Sequence, residues 1–116
     1  MILLFIHIYG NILTWISTTV IFGKFERDLA KEEENIHKHE LDFYTAALAF
    51  LDPHRVIAID EKHSGSEERL FCIGRIGKRF ATVRFTRRKE RIRLIGAGFW
   101  RAGRKVYEDE KKKRHE

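Results

Sequence analysis

RFATVRFTRRKERIRLI, Arg79 to Ile95, is the stretch that decides the fold. Apolar and polar side chains alternate on both sides of a polar cluster, the period of two that a half-buried strand imposes. With Arg87 to Glu90 as the turn, the stretch reads as an antiparallel hairpin of strands Arg79–Thr86 and Arg91–Ile95. That register sets Thr86 opposite Arg91, Phe85 opposite Ile92, Arg84 opposite Arg93 and Val83 opposite Leu94. Phe85, Ile92, Val83 and Leu94 then make the core face, and Thr82, Thr86, Arg84, Arg91 and Arg93 fall on the other. Directly opposed arginines destabilise a sheet. The register therefore asks for an anion over that face: a bound phosphate, which suits the planar guanidinium fork, or a carboxylate such as Glu67 or Glu68.

Working outward, Gly77-Lys78 is a tight turn back to a strand over Arg69–Ile76. A polar loop, Asp60–Ser66, separates that strand from a short one at Val56–Ile59. Upstream the period becomes helical. Asp28 is an N-cap for a helix to about His39, with Glu32, Glu33 and Glu34 where the helix dipole favours acids, and Leu29 and Ile36 on one face. Asp42 caps a second, short helix, Phe43 to Leu51, with Phe43, Ala46, Ala47 and Phe50 as its buried stripe. Asp52-Pro53 ends it, because a residue before proline leaves the helical region. After Gly96 and Gly98 a C-terminal helix runs from about Trp100 to Lys112, seated on the sheet by Phe99 and Tyr107, with Lys111 to His115 as a solvated tail. The expected class is α+β: two N-terminal helices on an antiparallel sheet, with a C-terminal helix.

The chain has 116 residues, enough for one domain with a modest core. Its charge is divided unevenly. Residues 1–50 hold four Lys/Arg against seven Asp/Glu, and residues 51–116 hold 19 against 10. Between Arg75 and Lys105 the single acid is Glu90. A solvated surface mixes both signs, so this half predicts a polyanionic partner: nucleic acid, acidic membrane lipid or an acidic protein. One cysteine, Cys72, excludes an intrachain disulfide and reads as a reduced thiol in a strand. The six histidines show no Cys/His ligand spacing, so no metal or other cofactor is expected.

Met1 to Gly23 carries no Lys, Arg, Asp or Glu, and is long enough to cross a bilayer. It lacks a basic n-region and a small-x-small cleavage site, which argues against a cleaved signal peptide. Three readings stay open: a membrane anchor that leaves the domain in the cytoplasm, a start assigned too early, or a first strand over Val20–Phe25. The division expected is an extension over residues 1–22 and a domain over 23–116.

The loop DEKHSGSEER, Asp60 to Arg69, gathers His, acids and Arg at the entrance to a strand. Metal-free RNA cleavage needs a base for the 2′-OH proton and cations for the phosphorane. His63 or Glu67 could be that base, with Arg69, Arg84 and Arg93 as charge stabilisers. By spacing alone a plain surface loop, with Ser66 capping a turn and Glu67 paired to Arg69, is the better fit, because general chemistry does not single out this motif. Lys38 and His39 suit a helix C-terminus, and Trp100 could stack on a base.

In order, Phe25-Glu26-x-Asp28, Lys31-x-x-x-Asn35-x-x-Lys38-His39, Asp42-Phe43, Asp52-Pro53, His63-Ser64-x-x-Glu67-Glu68-Arg69, Ile73-Gly74, Thr86-x-Arg88 and Ile92-Arg93 cover about residues 22 to 110. Together they resemble the BrnT family, the toxin half of BrnT–BrnA toxin–antitoxin pairs. The resemblance implies a RelE-like α+β fold and a cytoplasmic endoribonuclease that arrests translation. It also implies neutralisation by a BrnA-type antitoxin in a dimer of heterodimers, with DNA contacted through the antitoxin. The site it suggests is His63, Glu67, Arg69, Arg84 and Arg93 for catalysis, and Lys38, His39, Arg88, Arg91, Trp100 and Arg101 for RNA. Three positions depart from the family pattern: Arg27 where Trp is common, Glu40 where Gly is common, and Gly98 where many members have Arg. They open an alternative, a degenerate toxin that only binds its partner.

Overall fold

A computed structural model describes residues 18–115. Six strands form one mixed sheet in the order β1-β2-β6-β5-β4-β3. They are β1 Thr19–Phe22, β2 Phe25–Asp28, β3 Val56–Ile59, β4 Leu70–Ile76, β5 Arg79–Arg88 and β6 Arg91–Gly98. The helices are α1 Leu29–His39, α2 Phe43–Ala46 and α3 Arg101–Arg114, with 3₁₀ turns at Ala47–Leu51 and Glu61–His63. The α+β class and the C-terminal helix stand. An all-antiparallel sheet does not, because β2 lies parallel to β6.

The expected single strand over Val20–Phe25 is instead a hairpin, broken at Gly23, whose φ of 60° is open to glycine at no steric cost. The anchor reading concerns residues that mostly lie outside those described. Among the described residues no helix is long and apolar enough to cross a membrane.

Asp28 caps α1 as expected, its carboxylate accepting from the Lys31 N–H at 3.1 Å. The helix, however, buries Glu32 and Asn35 rather than an apolar stripe. Glu32 accepts from the Phe43 N–H at 2.8 Å and pairs with Arg27 at 3.1 Å. Asn35 donates to the carbonyls of Leu41 and Ala97, each at 2.9 Å, and accepts from the Ala97 N–H at 3.0 Å. Its amide thus extends the sheet where β2 has ended and the β6 edge would be unpaired. The second helix is α-helical for one turn and then tightens to 3₁₀ before Asp52. Phe43, Ala46 and Ala49 are fully buried there, against Phe85, Val83 and Cys72. Burial pushes the Cys72 thiol up to about 12.

The last hairpin differs in register. Its turn is only Lys89-Glu90, so Arg88 faces Arg91, Thr86 faces Arg93 and Phe85 faces Leu94. This is a slip of two residues, which keeps every side chain on its expected face. A bulge at Ile95 then resets the pairing, so that Arg84 faces Gly96 and Thr82 faces Gly98. Arg84 and Arg93 are therefore not opposed; the like-charge pair falls instead at the exposed tip, Arg88 opposite Arg91, where Arg88 is offset by Glu67 at 3.0 Å. Helix α3 covers part of the second face, with Tyr107 buried against Phe80 at 5.0 Å between ring centroids. The expected tail is helical to Arg114, whose guanidinium donates to the His54 carbonyl at 3.1 Å.

Candidate functional site

The second face of the sheet stays open where α3 does not reach. A cleft of about 300 Å³ lies there, walled by Lys31, Glu34, Lys38 and His39 of α1 and by Trp100, with Arg84 and Gly96 on its floor. The bulge makes this floor possible: by placing Gly96 opposite Arg84, it leaves no side chain to cover the guanidinium.

Arg84 Nε is buried with no hydrogen-bond partner among the described residues. The closest acid is Asp60, whose Oδ2 lies 3.8 Å away, an ion-pair distance rather than a hydrogen bond. Asp60 is itself buried and organises the loop. It receives the His63 backbone N–H at 3.3 Å, and its Oδ2 meets His63 Nδ1 at 2.8 Å. A carboxylate only accepts, so Nδ1 is the donor in this contact, and Nε2 has no hydrogen-bond partner among the described residues. Ser64, not Ser66, closes the loop, donating to the Asp60 carbonyl at 2.8 Å and accepting from the Arg69 N–H at 2.9 Å.

Glu67 belongs to a different group. It accepts from Arg88 Nε at 3.0 Å and pairs with Arg69 at 3.5 Å. The hydrogen bond from Arg88 holds its carboxyl below the usual range, which makes it a weaker base than a free carboxylate. Arg93 pairs with Glu26 at 3.7 Å and donates to Thr19. The carboxylates over Arg84 and Arg93 are thus Asp60 and Glu26, not Glu67 or Glu68.

The structure gathers Arg84, Lys38, His39 and Trp100 around one cleft, with His63 joined to Arg84 through Asp60. Glu67, Arg69 and Arg88 form a neighbouring ion-pair cluster. Arg91 is exposed near the hairpin tip, and Arg101 lines a separate hollow with Lys78, Arg79 and Arg104. Sequence reasoning missed Asp60 as a site residue. The signal was available: an acid three residues before His63, at the head of a turn, is placed to accept from that residue's N–H.

The departures from the family pattern also find their places. Arg27 is aligned with Leu94 on the core side of the sheet, with its guanidinium 5.2 Å from the centre of the Phe22 ring. Glu40 ends α1 in the left-handed region at φ 55°, the conformation that favours glycine. A Cβ on Gly98 would meet the Trp100 ring, with Cζ2 at 2.6 Å and Nε1 at 2.9 Å. The indole therefore occupies the space into which a side chain at 98 would project.

A family model described as "Ribonuclease toxin, BrnT, of type II toxin-antitoxin system" matches residues 28–103. No curated protein matches the chain.

Proposed function

The chain belongs to the BrnT family of ribonuclease toxins of type II toxin–antitoxin systems, and on that premise we propose that it is a cytoplasmic, metal-independent endoribonuclease with its site in the Arg84 cleft. The observation that carries this reading is a buried arginine donor without a hydrogen-bond partner, 3.8 Å from the Asp60 carboxylate that also holds the His63 ring. An RNA strand offers a group to each: a phosphodiester oxygen to the Arg84 donor and the proton of the adjacent 2′-OH to His63.

In the proposed step His63 Nε2 takes the 2′-OH proton, and the 2′-oxygen attacks the adjacent phosphorus. The bond from phosphorus to the 5′-oxygen breaks, that oxygen is protonated by solvent, and a 2′,3′-cyclic phosphate remains. Arg84 and the cations of α1 offset the charge that grows on the phosphorane. His63 is preferred to Glu67 as base because Glu67 is held by two arginines. Asp60 fixes the tautomer and the ring orientation of His63.

Under this reading the fold is RelE-like, and a BrnA-type antitoxin neutralises the chain in a dimer of heterodimers that contacts DNA through the antitoxin. Trp100 over Gly98 supports the second reading, a partner-binding module without catalysis, because the family's cation has no room at that position.

The test is expression of the full chain from a tight promoter, with His63→Ala/Arg84→Ala alongside. Arrest with RNA loss and cyclic-phosphate ends in the parent, abolished in the variant, supports the nuclease. Normal growth and intact RNA with a soluble, folded parent leaves the binding module.

A further inference from the structure

Trp100 lines a second hollow besides the Arg84 cleft. This hollow, of about 280 Å³, is also lined by Lys78, Arg79, Arg101, Arg104, Phe80 and Phe99, with four cations and no acid in its walls. The cations around the Arg84 cleft and the β2 edge are largely matched, Arg27 with Glu32, Lys38 with Glu34, Arg88 with Glu67 and Arg93 with Glu26. What sets the hollow apart is four cations converging on one lining that holds no acid. Here Arg104 alone has a carboxylate, that of Glu108 at 2.7 Å. Lys78, Arg79 and Arg101 pair with none among the described residues.

Two of the guanidiniums stack on rings, Arg79 with no acid beside it and Arg104 in addition to its pair with Glu108. Arg79 lies 3.6 Å from the centre of the Phe99 ring, and Arg104 lies 5.1 Å from that of Phe80. Stacking leaves the N–H fork free to bind an anion. An unneutralised cluster of this kind carries self-repulsion. It is accounted for if its partner is a polyanion.

We infer that this hollow is a second subsite that binds the single-stranded RNA flanking the cleaved bond, with Trp100 as the shared wall between subsite and cleft. The inference rests on the nuclease reading above and adds to it the substrate class, a single strand several nucleotides long. Cations among aromatic faces suit unpaired bases and their phosphates, which tolerate sequence variation. Duplex RNA hides its base faces and is read across its minor groove. The turn residue Gly77, at φ 62°, lets the β4–β5 hairpin fold back tightly and bring Lys78 and Arg79 to the rim.

The test uses the full chain and a fluorescein-labelled 12-nucleotide 2′-O-methyl oligouridylate, which has no 2′-OH to react, read by anisotropy. Lys78→Ala/Arg79→Ala is expected to weaken binding at least tenfold and to lower the salt slope by about 1.4, or about 0.7 for each phosphate no longer neutralised. Lys78→Glu alone, an exposed turn position, is the second variant; it is expected to weaken binding several-fold with an unchanged melting temperature. Affinity within twofold of the parent in both variants overturns the subsite, even if the parent cleaves RNA. A folded parent that binds no oligonucleotide fails the nuclease reading itself, and the subsite with it. Unchanged RNA affinity with loss of an acidic protein partner would reassign the hollow to protein docking and overturn the inference.

Discussion

Gly103→Ala offers a test in which two lines of reasoning predict opposite signs. Inside a helix, replacing Gly with Ala normally stabilises by about 1 kcal/mol, because glycine loses more backbone freedom on folding. In this fold a Cβ at 103 would overlap Thr82 Oγ1 and lie 3.2 Å from Thr82 Cβ. Thr82 is buried on the central strand β5, and its branched side chain has few rotamers in which to retreat. Helix α3 must therefore lift from the sheet. Overpacking of this severity costs about 3 kcal/mol, which leaves a net loss of about 2 kcal/mol, or roughly 10 °C in melting temperature. Thermal unfolding followed by circular dichroism would measure it. Thr82→Ala removes the overlapping hydroxyl, which has no hydrogen-bond partner among the described residues. The double variant should recover more than half the loss, a coupling of about 1 kcal/mol or more. A melting temperature that rises in Gly103→Ala, or two effects that simply add, would refute the packing of α3 described above.

Other perturbations address the remaining links. Asn35→Ala strands the Ala97 N–H and carbonyl at the β6 edge and the Leu41 carbonyl beyond α1, and should cost about 3 kcal/mol by urea unfolding. Glu40→Gly relieves a left-handed cap and should stabilise by about 1 kcal/mol in the same assay. In the site, His63→Ala should lower single-turnover RNA cleavage by about 10²–10⁴ with oligonucleotide affinity retained, and Asp60→Asn should lower it less. Tyr107 and Asp52 give a pH test. Burial and the hydrogen bond to Asp52, 2.8 Å long, raise the Tyr107 hydroxyl to about 12. A raised folded value gives stability that is whole below the ordinary value near 10 and is lost as pH climbs through about 12. Partial burial pushes the Asp52 carboxyl up, but hydrogen bonds from the Arg75 and His54 N–H groups and the Tyr107 hydroxyl outweigh it and hold the carboxyl low. Its contribution is therefore lost as the medium turns acid. Tyr107→Phe should remove the alkaline part of the loss in melting temperature and soften the acid part.

Sequence pattern made legible whatever depends on local periodicity. The α1 cap at Asp28, the stop at Asp52-Pro53 and the strand Val56–Ile59 all follow from two or three adjacent residues. Face assignment in the last hairpin survived a wrong register because the slip was an even number of residues. The bulge at Ile95 was not legible. Its cause is long-range: β6 is shared between β5, β2 and the Asn35 amide, and periodicity on one strand carries no trace of the other three. The same holds for the parallel β2–β6 pair, which closes only after all the intervening elements are in place. In the site, the chemistry of His63 and Arg84 was readable as residue types. That Asp60 stands between them was not, because it depends on a strand-to-loop approach across Arg84.

The three departures from the family pattern are not equivalent once placed in the fold. Arg27 lies on the core side, where its pairing with Glu32 and its ring contact with Phe22 give it a packing role remote from the Arg84 floor. Glu40 is a backbone matter at a helix end. Only Gly98 faces the site, and there the change involves two residues. The glycine gives up a side chain, and Trp100 takes its volume, with its ring edge-on to His39 at 5.1 Å. Restoring Arg by Gly98→Arg alone would therefore not rebuild a cationic site, because the indole already fills the place. It should eject Trp100 and loosen the wall between cleft and hollow, seen as a red shift in tryptophan emission. Gly98→Arg/Trp100→Ala is the variant with room for the guanidinium. If the exchange merely moved a charge-binding function to a stacking one, the parent should cleave RNA and the double variant should bind it with a steeper salt dependence. A parent without cleavage, and a double variant that gains it, would instead mark Trp100 as the residue that closed an active site.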